Sequence, residues 1–90
     1  MTDLERLDEI RKYFSKIYNQ DFLNNNIFSK YLKINRSTVY SWDGIRRDEN
    51  SLAHSIKVKV CQFFDLDFNI WVDRFLNSND FILKLLNYQK

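Results

Sequence analysis

Few side chains of this ninety-residue chain can do covalent or metal chemistry. It has one histidine, His54, and one cysteine, Cys61. A metal centre needs several ligands, and neither residue has a second Cys or His at ligand spacing. Asp65, Asp67 and Asp73 suit helix caps and surface charges, not a paired general acid and base. No nucleophile, base and orienting group can be assembled from these residues. A single glycine leaves no phosphate-binding loop and no dinucleotide fingerprint. The expectation is a chain that is not an enzyme and takes no cofactor, metal or small-molecule ligand. What does gather is hydrogen-bonding chemistry: Asn35, Arg36, Ser37, Thr38, Tyr40 and Ser41 fall in one short run.

That run has to be carried by a folded scaffold, and composition allows one. Ninety residues suit a single domain with a small core. A hydrophobic content of 44% and an aromatic content of 17% exclude a disordered chain. One glycine and no proline leave little material for hairpins, which favours an all-helical fold. Cys61 lies in an apolar run and reads as a buried thiol in a reducing cytoplasm. No basic-plus-apolar leader follows Met1 and no apolar run reaches about 18 residues, so neither export nor a membrane span is expected. The formal charge of +2 is uneven: residues 1–27 carry −1, residues 28–60 carry +4 and residues 61–90 carry −1. A localised basic zone is the electrostatic footprint of a nucleic-acid binder.

Periodicity then sets the elements. Thr2 or Asp3 caps a first helix with Leu4, Leu7, Ile10, Phe14 and Ile17 on one stripe. Asn24 caps a second, Asn25 to Leu32, with Phe28 and Leu32 inward and the small Ser29 between them. Lys33 and Ile34 make a turn. Asn35 caps a third helix running to about Asp43, with Val39 and Trp42 inward. Residues 44–50, GIRRDEN, form a polar loop. Asn50 or Ser51 caps a fourth helix bearing Leu52, Ile56, Val60, Phe63 and Phe64. Its centre alternates as a strand would, but no partner strand with a hairpin turn is available. Asp67 caps a fifth helix with Phe68, Trp71, Val72, Phe75 and Leu76 on one face. Asn77 to Asp80 break it. A last helix, about Phe81 to Asn87, is apolar on more of its circumference than one buried stripe requires. It therefore inserts into the core or packs on another subunit. His54, Lys57 and Lys59 read as surface residues.

Two helices joined by so short a turn must approach closely, and Ser29 permits it. Lys33 stands where the backbone turns left-handed, usually a glycine's place. With Val39 and Trp42 inward, Arg36, Ser37, Tyr40 and Ser41 face outward. At this point IFSKYLKINRSTVYSWDGIRR resembles the helix-turn-helix of the phage Cro/CI repressor family, the lambda-repressor-like or XRE class. The matching positions are Phe28, Ser29, Lys33, Ile34, Asn35, Arg36, Ser37, Thr38, Val39, Trp42 and Asp43, and the resemblance extends over roughly residues 22–75. The chain departs from the family in Lys33 for the turn glycine, in Gly44 directly after the acidic residue, and in lacking the usual loop proline.

The resemblance implies an all-α, five- or six-helix lambda-repressor-like domain over residues 1–90, with the motif at 25–44 and extra C-terminal helices at 67–88. It implies that Arg36, Ser37 and Ser41 face base edges and that Tyr40 packs a thymine methyl or bonds a phosphate. Asn25, Asn35, Thr38, Arg46 and Arg47 would contact the DNA backbone. The function implied is a cytoplasmic transcriptional regulator, a repressor, binding double-stranded DNA as a homodimer. The C-terminal residues Trp71, Phe75, Phe81, Ile82, Leu85 and Leu86 are the expected dimer contact. The alternative is an antitoxin or other protein-interaction module on the same fold.

Overall fold

Thr2 starts the first helix by a reciprocal cap. Its Oγ1 accepts from the Glu5 amide (3.2 Å), and Glu5 Oε1 accepts from the Thr2 amide (2.9 Å). The helix it opens, α1, spans Asp3–Tyr18. The computed structural model describes residues 1–42 and 52–90. Among these, α2 is Asn25–Leu32, α3 is Arg36–Ser41, α4 is His54–Phe64 and α5 is Ser78–Leu85, with 3-10 turns at Phe68–Trp71 and Leu86–Tyr88. There is no strand among the described residues. A lone antiparallel bridge joins Leu66 to Gln89.

Three helices end in the left-handed region without glycine: Asn19 after α1, Lys33 after α2 and Asp65 after α4. Each cap amide returns to the carbonyl four residues back, and the next amide reaches the same carbonyl. Ile34 and Leu66, the residues after two of these caps, are buried. This closure satisfies helix-end carbonyls and turns the following apolar residue into the core.

The core is aromatic. Phe14, Phe22, Phe28, Phe64 and Phe81 are fully buried, and each such ring contributes about 1.5–3 kcal/mol. Phe14 stacks on Phe64 at 4.3 Å, and Phe22 meets Phe28 and Phe64 edge-on. The α1 stripe holds through Phe14 but not to Ile17, which is 53% exposed. Tyr18, four residues after Phe14, is partly exposed and covers the core edge, contacting Phe14, Phe22, Phe63 and Phe64.

Two arginines of α1 are buried. Arg11 Nε donates to the Phe22 carbonyl (2.6 Å), and its guanidinium lies over the Phe28 ring. Arg6 Nη1 donates to the carbonyls of Ile70 (2.8 Å) and Asp73 (2.7 Å), and its guanidinium lies over Phe75. These bonds accompany a correction. The expected fifth helix is only the four-residue turn Phe68–Trp71, although Asp67 caps it as expected through the Asn69 amide. After Trp71 the chain leaves the helical path, and the carbonyls of Ile70 and Asp73 meet the buried Arg6 guanidinium. Of the expected stripe, Phe75 and Trp71 are buried, whereas Val72 is exposed and Leu76 is 88% exposed.

Other boundaries shift for similar reasons. Ala53 is extended and caps α4 without a side-chain bond, so that helix begins at His54. The Leu52 amide is held by Asp3 Oδ2 (2.9 Å), which keeps Leu52 buried but outside the helix. Asn50 and Ser51 lie outside the described residues. The same carboxylate pairs with Lys57 Nζ at 3.0 Å, so Lys57 is tied down and not simply solvated. The last helix starts earlier than expected, because Asn77 Oδ1 caps it through the Asp80 amide (2.9 Å). Asp80 in turn accepts from the Leu76 amide and pairs with Lys84, and these bonds lower its carboxyl pKa.

The C-terminus is sewn to the turn after α4. The Asp67 amide donates to the Tyr88 carbonyl, and the Lys90 amide to the Asp65 carbonyl. Tyr88 donates its phenol to Asp73 Oδ2 (2.6 Å). That bond, with partial burial second, raises the Tyr88 pKa to about 12.

Two outcomes follow. Arg6→Met keeps the apolar stem but leaves two carbonyls without a donor, so urea unfolding should show a loss of about 2–3 kcal/mol. Hydrogen exchange should place the loosening in residues 68–76, and an unchanged midpoint would contradict the role given to Arg6. Tyr88 ionises later in the folded chain than the reference phenol near pH 10. Its contribution to stability is therefore complete below about pH 10 and is lost as pH rises toward 12. Ultraviolet titration should show a phenol ionising near pH 12 that disappears in Tyr88→Phe, along with this part of the alkaline destabilisation.

Candidate nucleic-acid interface

The polar run found in the sequence lies on and around α3, and α3 is fixed by its packing on α2. Six residues cannot hold a helix in water by themselves. Val39 is fully buried, Trp42 is buried at the C-cap, and the Trp42 ring meets Phe28 of α2 edge-on at 6.4 Å. The α-helix spans Arg36–Ser41 with Trp42 as its C-cap, and Asp43, the expected end, lies outside the described residues. Ser29 is buried with its hydroxyl on the Asn26 carbonyl, as a small residue at a close helix contact should be.

The turn between α2 and α3 is tight. Lys33 takes φ 55°, its amide bonds the Ser29 carbonyl, and Ile34 is buried behind it. Asn35 then caps α3. Its Oδ1 accepts from the Ser37 amide (2.9 Å) and also from the Ser37 hydroxyl (2.7 Å). Ser41 donates its hydroxyl to the Thr38 carbonyl (2.6 Å). Arg36 lies over the Tyr40 ring at 5.9 Å, one helical turn away. Asn35, Arg36, Ser37, Tyr40 and Ser41 are all exposed, and Thr38 is half-buried.

Asn25 opens α2 and is half-buried, with Oδ1 accepting from Arg11 Nη2 (2.9 Å). Arg46 and Arg47 lie outside the described residues. The sequence reading missed Arg11, which orders the start of α2 through Phe22 and Asn25. Its signal was position: Arg11 sits four residues after Leu7 and three before Phe14, on the apolar stripe.

The expected dimer set divides. Trp71, Phe75, Phe81 and Leu85 are buried in the chain's own core and present no surface to a partner. Ile82 and Leu86 are exposed, as is Leu83 at 81%. Cys61 is buried with its Sγ accepting from Trp71 Nε1 (3.2 Å), and burial raises its thiol pKa. His54 is exposed with its ring 5.2 Å from Phe68. No group of three or more His, Cys, Asp or Glu side chains among the described residues could hold a metal ion. No helix among them is long and apolar enough to cross a membrane. No protein-family model matches the chain, and neither a curated protein nor a solved structure is detectably similar to it.

The left-handed Lys33 gives a direct check of the turn. Lys33→Gly removes the steric penalty at φ 55°, so the chain should gain about 0.5–1 kcal/mol in thermal or urea unfolding. A loss of stability would mean that the turn depends on the lysine side chain.

Proposed function

We propose that the chain is a sequence-specific double-stranded DNA-binding transcriptional regulator of the Cro/CI type, acting as a repressor, with α2 and α3 as its helix-turn-helix. The observation that carries this reading is the outer face of α3. Arg36, Ser37, Tyr40 and Ser41 are exposed together, while Val39 and Trp42 anchor the helix. A polar N-terminal run on the second of two packed helices suits the major groove.

The hydrogen bonds give that face a donor and acceptor order. Arg36 offers paired N–H groups, which suit guanine O6 and N7. Ser37 and Ser41 direct their hydroxyl hydrogens to Asn35 and Thr38, so each presents lone pairs outward. Lone pairs suit the amino groups of adenine and cytosine. Tyr40 is left for a thymine methyl or a phosphate. Asn25, Asn35, Thr38, Arg46 and Arg47 remain the proposed backbone contacts. The excess of +4 over residues 28–60 would supply affinity that falls steeply with salt. Repression of this kind needs no chemistry, since occupying a promoter is enough.

A six-residue helix is about 9 Å long at 1.5 Å per residue. At 3.4 Å per base-pair step it covers about three steps. One copy reads too little for a specific site, and a twofold copy doubles it. The exposed Ile82, Leu83 and Leu86 of the C-terminal segment are the proposed homodimer contact. The same exposed apolar side chains favour the second reading, a protein-interaction module such as an antitoxin.

Selection of bound sequences from a random duplex pool tests the reading. The winners should be inverted repeats with a G·C pair at one fixed position in each half. Arg36→Ala should cost about 1–3 kcal/mol on the selected site and relax the guanine position, with little change on random DNA. A pool without enrichment would refute specific DNA binding. Equal loss on every sequence would refute base reading by Arg36.

A further inference from the structure

A second surface lies between α2 and α4. Tyr31, Leu32, Lys33, Lys59, Gln62 and Phe63 line an open groove of about 560 Å³. Its wall is aromatic and continuous. Tyr31 and Phe63 are 6.3 Å apart, both rest on the buried Phe22, and Tyr18 extends the wall 6.0 Å from Phe63. Tyr18 and Tyr31 are each 40% exposed, far more than a ring needed only for the core.

The charge in this groove is one-sided. Lys59 Nζ is held at the Lys33 carbonyl (3.0 Å), which fixes one ammonium beside the turn residue that carries the other. Among the described residues no carboxylate lines the groove and neither lysine pairs with one. Three lysines elsewhere have a carboxylate partner, Lys12 with Glu9, Lys57 with Asp3 and Lys84 with Asp80, whereas Lys33 and Lys59 come together in one groove without one. Two uncompensated cations beside an apolar wall call for a ligand that brings negative charge and apolar surface together.

We infer that this groove docks an acidic segment of a partner protein, with an apolar side chain against Tyr31 and Phe63 and carboxylates on Lys33 and Lys59. The ring geometry favours polypeptide over single-stranded nucleic acid. Successive bases need parallel exposed ring faces, and here Tyr31 stands at 80° to Phe63 and 86° to Phe22. An aliphatic or aromatic side chain fits such a herringbone wall, where offset and edge-on contacts are preferred. The inference does not rest on DNA binding by α3.

The test is selection of a random peptide display library on the full chain, followed by fluorescence anisotropy with the selected peptides. The winners should share carboxylates flanking one apolar residue. Their affinity should fall about tenfold or more for the K33E/K59E double variant and recover when the peptide's acids become lysines. Both positions are exposed, and circular dichroism checks that the variant is folded. Lys59→Gln, with amide shifts at residues 31, 33, 59, 62 and 63 on adding an acidic winner, gives the same answer with a milder change. Winners without acidic excess, or binding unchanged in both variants, would overturn the proposal. So would displacement of the peptide by oligo-dT, which would make the groove a nucleic-acid site, or by unlabelled chain, which would make it a self-contact.

Discussion

Much of this fold depends on polar side chains of one helix that reach loops, turns and a helix start far along the chain. Asp3 holds the Leu52 amide, Arg6 holds the carbonyls of Ile70 and Asp73, and Arg11 holds the Phe22 carbonyl and Asn25. The partners lie 49, 64, 67, 11 and 14 residues away in sequence. A chain without proline and with one glycine has few local means of fixing a loop. It fixes them by long-range hydrogen bonds to a rigid helix instead. Burying a guanidinium is costly unless its donors are satisfied, and carbonyls outside helix ladders are the groups that need donors. The two shortages answer each other. The match is incomplete at Arg6, whose Nε is buried without a partner.

Those same bonds mark where the sequence was hard to read. Four caps were legible, Thr2 (read as Thr2 or Asp3), Asn24, Asn35 and Asp67, whose side chains bond nearby amides, while Ala53 before α4 and Asn77 before α5 were not read as caps. Legible too were the inward residues of α2 and α3, where spacing alone puts Phe28, Leu32, Val39 and Trp42 on the buried side. The segment after Asp67 was not legible, because its periodicity was real but its carbonyls are claimed by Arg6, over sixty residues away. Nothing within the window of a helix stripe carries that information. The buried arginines carry a signal in their position. Arg6 is four residues before Ile10, and Arg11 four after Leu7, so both share the stripe. Hydrogen bonds to backbone carbonyls and ring contacts keep these charged side chains inside.

The candidate site was legible in its position and less so in its chemistry. Spacing and the Asn35 cap put Arg36, Ser37, Tyr40 and Ser41 on one exposed face. Spacing could not show that two hydroxyl hydrogens are already spent, which leaves Ser37 and Ser41 as acceptors beside the donors of Arg36 and Tyr40. It also could not separate the apolar C-terminal residues. Phe81 and Leu85 go inward while Ile82, Leu83 and Leu86 stay outside, since only the position of α1 decides which side of α5 is covered.

The shortness of α3 ties its outer face to the core. With six residues it has fewer than two turns, so its shape comes from the Asn35 cap, the Lys33 turn and the contact of Trp42 with Phe28. Behind Phe28 stand Phe22 and the Arg11 guanidinium, and behind those the Phe14–Phe64 stack. A change in that inner column would therefore move Arg36 without touching it. The residues that face outward are those the packing does not use, and their precision is inherited from the ones it does.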